Sequence, residues 1–212
     1  MSLVANPGKR TPRVIRFAAL TPIPWLNGQG RTTTIVQDPP SEAPDRVRWR
    51  VSSAELRGPS TFSDFSGYRR WLAPLTAQPV RVRINGRDHV LGRYDVCTFL
   101  GSDRVDCDPG DAAGSDLNLM VRGGAGDMRR LTLAAGEHLG FGASQITIAV
   151  VLEGEAVLEG EGPGPSDTVR LGRLDTLVAY PGRPCTLRAA PGPVTLMRMH
   201  VGAATASARE RR

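Results

Sequence analysis

The chain is poor in the residues that hold small secreted domains, helical bundles and metal centres together. Its three cysteines, Cys97, Cys107 and Cys185, form no Cys-x-x-Cys pair. An odd count closes no disulfide framework and fits a reducing cytoplasm. Aromatic residues make up 5% of the chain, and no window of about twelve residues carries a convincing helical repeat, which argues against a bundle. No run approaches the roughly 18 apolar residues of a membrane span, and no apolar segment follows the basic N-terminus as in an export leader. Lysine is almost missing: Lys9 stands alone among 27 basic residues. Histidine is scarce too, with His89, His138 and His200 far apart and no His-x-His.

Glycine and proline, 24 and 17 of 212 residues, are plentiful. That turn-rich composition suits many short strands. The net charge of +6 invites a nucleic-acid reading, but its position does not. Lys9, Arg10, Arg13, Arg16, Arg209, Arg211 and Arg212 against Glu210 account for the whole excess. The body is neutral, so neither nucleic acid nor a membrane surface is expected as a partner. Residues 1–13 and 202–212 read as disordered tails.

Between the tails the apolar period is two. Val80, Val82 and Ile84 alternate with arginines up to Asn85-Gly86, and His89 to Leu91 resumes, the pattern of a hairpin closed by a type I′ turn. Ile146, Ile148, Val150 and Leu152 alternate up to Glu153-Gly154 and return through Ala156 to Leu158, a second hairpin by the same reasoning. Strands are expected at 168–171, 174–180, 185–188 and 194–201, with one weak helix or turn at 65–72. Two hairpin-bearing halves predict tandem β units, 14–122 and 123–201, of jelly-roll type. The Pro109-Gly110 loop at 106–115 is a candidate junction.

Polar residues gather in the first half. In Pro24-Trp25-Leu26-Asn27-Gly28-Gln29-Gly30-Arg31-Thr32, Gly28 and Gly30 allow close backbone approach and Asn27 suits a turn. The segment lacks the third glycine of a dinucleotide fold and the Gly-Lys-Ser/Thr of a P-loop, and is a structural or a ligand loop. Trp49-Arg50-Val51-Ser52 sets Arg50 and Ser52 on one strand face, either exposed or a pocket wall where a guanidinium meets a carboxylate. Phe62-Ser63-Asp64-Phe65-Ser66-Gly67-Tyr68-Arg69-Arg70 follows. Asp116, Asn118 and Met120 share a face opposite Leu117 and Leu119. Asp and Asn are poor strand formers, so they imply a buried polar network or a ligand.

These four segments, in this order, resemble the HutD/Ves family of the cupin superfamily. The match rests on Pro24, Trp25, Asn27, Gly28, Gly30 and Thr32; on Trp49, Arg50, Ser52 and Ala54; on Phe62, Ser63, Phe65, Gly67 and Arg70; and on Asp116, Asn118 and Met120. Leu26 stands where Lys is common, Thr34 where a Glu often follows, and Ser66 where Pro is common. The resemblance implies an all-β bicupin of two tandem jelly-roll units, a link to histidine utilisation or stress response, and no firmly established catalysis.

Many cupins hold a metal with two close histidines, a Glu and a distant His, a set this chain lacks, so no metal and no cofactor are expected. Cys97 reads as an inert buried thiol. The leading reading is a metal-free cytoplasmic binder that senses or buffers an acidic metabolite of histidine catabolism, a formylated or formiminated glutamate. Trp25, Asn27, Gly28, Gly30, Thr32, Trp49, Arg50, Ser52, Phe62, Ser63, Arg70, Asp116, Asn118 and Met120 are its candidate ligand-binding residues. Alternatives are a metal-independent hydrolase or isomerase with Asp116 as general base, and a structural or interaction protein. The second half, mostly Val, Leu and Gly, is assigned to packing or to a homodimer contact.

Overall fold

The computed structural model describes residues 10–25, 30–40, 46–110, 114–123, 125–142, 144–159 and 168–202. Their strands are β1 (Arg13–Ile15), β2 (Ile23–Pro24), β3 (Arg31–Asp38), β4 (Trp49–Leu56), β5 (Ser60–Thr61), β6 (Tyr68–Pro74), β7 (Val80–Ile84), β8 (Arg87–Leu91), β9 (Cys97–Leu100), β10 (Val105–Asp108) and β11 (Gly114–Arg122). The chain continues through β12 (Gly126–Leu133), β13 (His138–Phe141), β14 (Ile146–Glu153), β15 (Ala156–Glu159), β16 (Val169–Leu171), β17 (Thr176–Ala179), β18 (Cys185–Ala189) and β19 (Val194–Val201). No α-helix occurs among the described residues; a single 3-10 turn covers Phe17–Ala19.

Two compact units divide the chain. The first, Leu20–Met128 with the chain's last residues, contains a six-stranded sheet ordered β2-β3-β4-β11-β6-β9 and a four-stranded sheet ordered β5-β10-β7-β8. The second, Arg129–His200 with the chain's first residues through Ala19, contains sheets ordered β1-β17-β14-β19-β12 and β13-β18-β15-β16. Adding eight to each label turns β4-β11-β6-β9 into β12-β19-β14-β17, and β5-β10-β7-β8 into β13-β18-β15-β16. Eight strands of each unit therefore repeat one topology, to which the first unit adds β2 and β3 beside β4 and the second adds β1 beside β17.

Each unit is closed by apolar side chains from both of its sheets. In the first these include Leu56, Leu72, Val80, Val82, Phe99, Val105 and Cys107. In the second they include Phe141, Val151, Ala156, Leu171, Leu177, Leu187 and Leu196. Burying a Leu or Val side chain contributes roughly 1.5–3 kcal/mol, so these clusters carry much of each unit's stability.

Four sequence expectations need correction. The β7–β8 hairpin forms, with Ile84 opposite Arg87 and Asn85 and Gly86 at φ of 48° and 81°. Glu153-Gly154, however, closes no hairpin: β14 and β15 lie in different sheets, and the partner of β15 is β16. Gly154 turns a corner there at φ 76°, where a Cβ would come within 2.4 Å of the Pro193 carbonyl oxygen. The counterpart of β7–β8 is thus β15–β16. Of the segment 65–72, expected as a helix or turn, only Ser66 and Gly67 form a turn; strand β6 already begins at Tyr68. The 106–115 stretch is no junction, since β10 and β11 are interior strands of the first unit.

The N-terminal segment is also no simple tail. β1 pairs antiparallel with β17, Val14 opposite Leu177, so residues 14–19 belong with the C-terminal half. Asp175 fixes the strand's exit: its carboxylate accepts from Arg16 Nη1 at 2.6 Å and from the Phe17 amide at 3.1 Å.

Candidate functional site

Strand alternation brings the polar motif residues together. In β4, Arg50, Ser52 and Ala54 face inward; in β11, Asp116, Asn118 and Met120 do so. The register sets Met120 between Arg50 and Arg70, Asn118 between Ser52 and Leu72, and Asp116 between Ala54 and Pro74. Thr34 and Thr32 of β3 extend two of these rows, opposite Ser52 and Ala54. Two residues further along, the same inner faces become apolar, at Leu72 of β6 and Leu56 of β4. The barrel interior is packed with hydrocarbon on one side and opens on the other into a cavity of about 550 Å³.

The cavity holds two guanidinium groups. Arg70, 7% exposed, has the Phe62, Phe65 and Phe99 rings 5.0, 5.4 and 5.1 Å from its Cζ. It donates at 3.4 Å to the Ser63 carbonyl and to Asn118 Oδ1. Arg50 lies 5.4 Å from the Phe65 ring and sends Nη2 to Met120 Sδ at 3.2 Å. The Nε atoms of both arginines are buried without a hydrogen-bond partner. Burial lowers both pKa values, that of Arg70 to about 10, where the Asp116 carboxyl opposes the effect and the Arg50 charge adds to it. Both remain cations at neutral pH.

One carboxyl shares the space. Asp116 is fully buried; its Oδ1 accepts from Asn118 Nδ2 at 2.6 Å and from the Ala54 amide at 3.1 Å, while Oδ2 is buried without a partner. Desolvation pushes its pKa up to about 7 against the opposing pull of the Ala54 amide, Arg70 and Asn118. Asn118 therefore bridges Arg70 and Asp116, and no ion pair joins the carboxyl directly to either arginine.

Trp25 supplies a wall. Its Nε1 donates to Thr32 Oγ1 at 2.8 Å, and its ring lies so close to Gly30 that a Cβ there would come within 2.9 Å. Gly30 thus acts on Trp25 and is not itself part of the lining. Of the other motif residues, Thr32, Ser52, Phe62, Ser63 and Met120 line the cavity. Trp49 does not: its parity along β4 is opposite to that of Arg50, and it is buried on the other face. Asn27, Gly28 and Leu26 lie outside the described residues.

Ile23, Ser60, Thr61 and Phe65 also line the cavity and were missed by sequence reasoning. They come from two-residue strands and turns, which carry no period; Phe65 alone had a signal, its place in the third motif. Ser66, where Pro is common in the family, donates both its amide and its hydroxyl to Asp64 Oδ1 at 2.7 Å, a turn that a proline could not close through its nitrogen.

The second unit, expected to serve packing or a homodimer contact, holds a cavity of its own. A cavity of about 400 Å³ there is lined by residues including Phe141, Gln145, Thr147, Cys185 and His200, with Thr147 Oγ1 3.2 Å from His200 Nδ1. Burial pushes the Cys185 thiol up to about 11. His89 is exposed, and His138 meets Glu159 at 3.3 Å.

The metal set of many cupins does not fit this chain. Among the described residues no three His, Cys, Asp or Glu side chains are placed to hold an ion. The larger cavity offers one carboxyl beside two guanidinium groups, a donor set that repels a cation. No helix among the described residues is long and apolar enough to cross a membrane.

Two β units of this topology, with a polar cavity inside a strand-lined barrel, define an all-β protein of the cupin fold. The fold is shared at TM-score 0.61 and 12% identity with a Cupin 2 conserved barrel domain protein from Leptotrichia buccalis, over 90% of this chain and 96% of that one. The chain belongs to the HutD family, whose model matches residues 18–196. A conserved protein of unknown function from Pseudomonas aeruginosa PAO1 is similar in structure at TM-score 0.78 and 23% identity, over 92% of this chain and all of that one. HutD from Pseudomonas fluorescens SBW25, in a formate condition, is similar at TM-score 0.70 and 21% identity, over 91% of this chain and all of that one. An uncharacterized 21.2 kDa protein in the hutC 3′ region of Pseudomonas putida is 33% identical over 99 residues. That match takes in 46% of this chain and about half the length of the curated relative.

Proposed function

We propose that this protein binds a small carboxylate metabolite of histidine breakdown, a formylated or formiminated glutamate, and so senses or buffers its concentration in the cytoplasm. One observation carries the reading: the guanidinium groups of buried Arg70 and half-buried Arg50, each with a buried and unpartnered Nε, face one cavity that contains a single, weakly acidic carboxyl. A buried cation without a counter-charge is costly unless paired, and carboxylates are the planar partners that a guanidinium fork fits. Thr34 sharpens the imbalance, because it occupies the inner face opposite Ser52 where members of the family often carry Glu. The phenylalanines and Trp25 supply apolar walls for a short methylene chain. Membership of the HutD family and the curated relative's place beside hutC favour histidine utilisation over other sources of dicarboxylates.

Calorimetric titration with N-formyl-L-glutamate, N-formimino-L-glutamate and glutarate tests the proposal. Saturable binding is expected, weakened by more than about 1 kcal/mol in Arg50→Lys, which keeps the charge and loses the fork. No binding of any of the three, or equal affinity in Arg50→Lys and Arg70→Lys, refutes it.

A further inference from the structure

We propose that the cavity takes up its anion together with a proton, which settles on Asp116 Oδ2, so that Asp116 selects the charge state in which the site binds. The inference rests on the reading of the cavity as an anion site. It begins with the asymmetry of one carboxyl. Oδ1 already accepts two hydrogen bonds, whereas Oδ2 is buried with none. A carboxylate oxygen can only accept, and no protein donor is within reach of this one; a protonated Oδ2 becomes a donor able to meet an anion's oxygen.

The bridge through Asn118 makes the coupling directional. Arg70 donates to Asn118 Oδ1, and Asn118 Nδ2 donates to Asp116 Oδ1. In the empty cavity the Arg70 charge helps to keep Asp116 ionised. An anion seated on Arg70 cancels that help and brings a like charge into the same low-dielectric space. Both effects drive a proton from solvent onto Oδ2. By linkage, binding that takes up a proton weakens as pH rises.

The charged and titratable groups around Asp116 are few. β4 contributes Arg50, β6 contributes Arg70, β9 contributes Cys97 and β10 contributes Cys107; β3 presents Thr32 and Thr34. Burial pushes both thiols up to about 12, the Arg70 guanidinium titrates near 10, and no histidine is among the described lining residues. A change between about pH 6 and pH 8.5 therefore belongs to Asp116, whose carboxyl titrates near 7.

The test is calorimetry with N-formyl-L-glutamate and glutarate across that range, in buffers of different ionisation enthalpy, so that the protons taken up are counted. The expected result is uptake approaching one proton per anion at the alkaline end, with affinity falling toward tenfold per pH unit. Asp116→Asn, which has the shape of the neutral acid and an N–H in place of its O–H, should abolish both the proton uptake and the pH dependence of probe binding. A carbon-13 carboxyl resonance assigned to Asp116 by its loss in that variant should shift its midpoint upward when probe is added. Binding of either probe with pH-independent affinity and no proton uptake overturns this inference and leaves the anion site standing. Persistence of the pH dependence in Asp116→Asn overturns it as well. If neither these two probes nor N-formimino-L-glutamate binds at any pH, the proposed function fails and takes the proton coupling with it.

Discussion

Asp116→Asn should stabilise the ligand-free protein, and increasingly so as pH rises. The folded carboxyl titrates near 7 against an ordinary value of 3.8. At about 1.4 kcal/mol per pKa unit, keeping it ionised above pH 7 costs the folded state at most about 4 kcal/mol relative to the unfolded chain. Because the folded pKa is the higher one, this cost is absent below pH 4, grows as pH climbs and is complete above pH 7. An asparagine keeps the acceptor for the Ala54 amide and for Asn118 but carries no charge. Its NH2 replaces the unpartnered Oδ2 and so costs about 1 kcal/mol at every pH, as an unsatisfied donor. The variant should be near neutral or slightly destabilised at pH 4 and more stable than the parent by up to about 3 kcal/mol at pH 8. Urea unfolding of both proteins at the two pH values, with unchanged slopes, measures the difference. A difference that is the same at pH 4 and pH 8 would refute a buried carboxyl of near-neutral pKa, and with it the electrostatic picture of the cavity.

Other perturbations probe the supports of the site. Arg70→Met should leave the barrel folded, reduce binding of N-formyl-L-glutamate by more than about tenfold and raise the Asp116 midpoint, read from its carboxyl resonance. Gly30→Ala drives a methyl into the Trp25 ring and should cost about 1–3 kcal/mol, with a change in Trp25 emission measured in a Trp49→Phe, Trp71→Phe background. Asp175→Ala removes the acceptor of Arg16, Phe17 and Gly172 and should lower stability by about 1–3 kcal/mol while exposing residues 13–19 to proteolysis.

Much of the architecture was readable because a strand's side chains alternate. That rule placed Arg50 with Ser52, and Asp116 with Asn118 and Met120, before any coordinates, and Asn85-Gly86 named its own turn. Trp49 shows how a motif misleads: it adjoins Arg50 in sequence, which is why its parity puts it on the other face. The 153–154 turn was misread because a glycine at positive φ serves a corner between sheets as well as a hairpin. Which sheet the next strand joins is decided by residues far away. β1 was hidden for a related reason, since a three-residue strand with only Val14 and Ile15 apolar carries no pattern until β17 is present to pair with it. The Arg70–Asn118–Asp116 chain was likewise beyond reach, because it depends on the register of β6 against β11.

The pairing of β1 with β17 interleaves the order of synthesis with the order of folding. β1 leaves the ribosome some 160 residues before its partner β17, and closing a loop of that length is entropically costly and slow. During that interval the unit that holds the larger cavity, Leu20–Met128, has been made in full, while the N-terminal segment waits. A cut between residues 122 and 123 would therefore strand β1 on the wrong fragment. A circular permutant that opens the chain after Ala19 and joins the old termini would return each segment to its neighbours, and it should fold faster than the natural order.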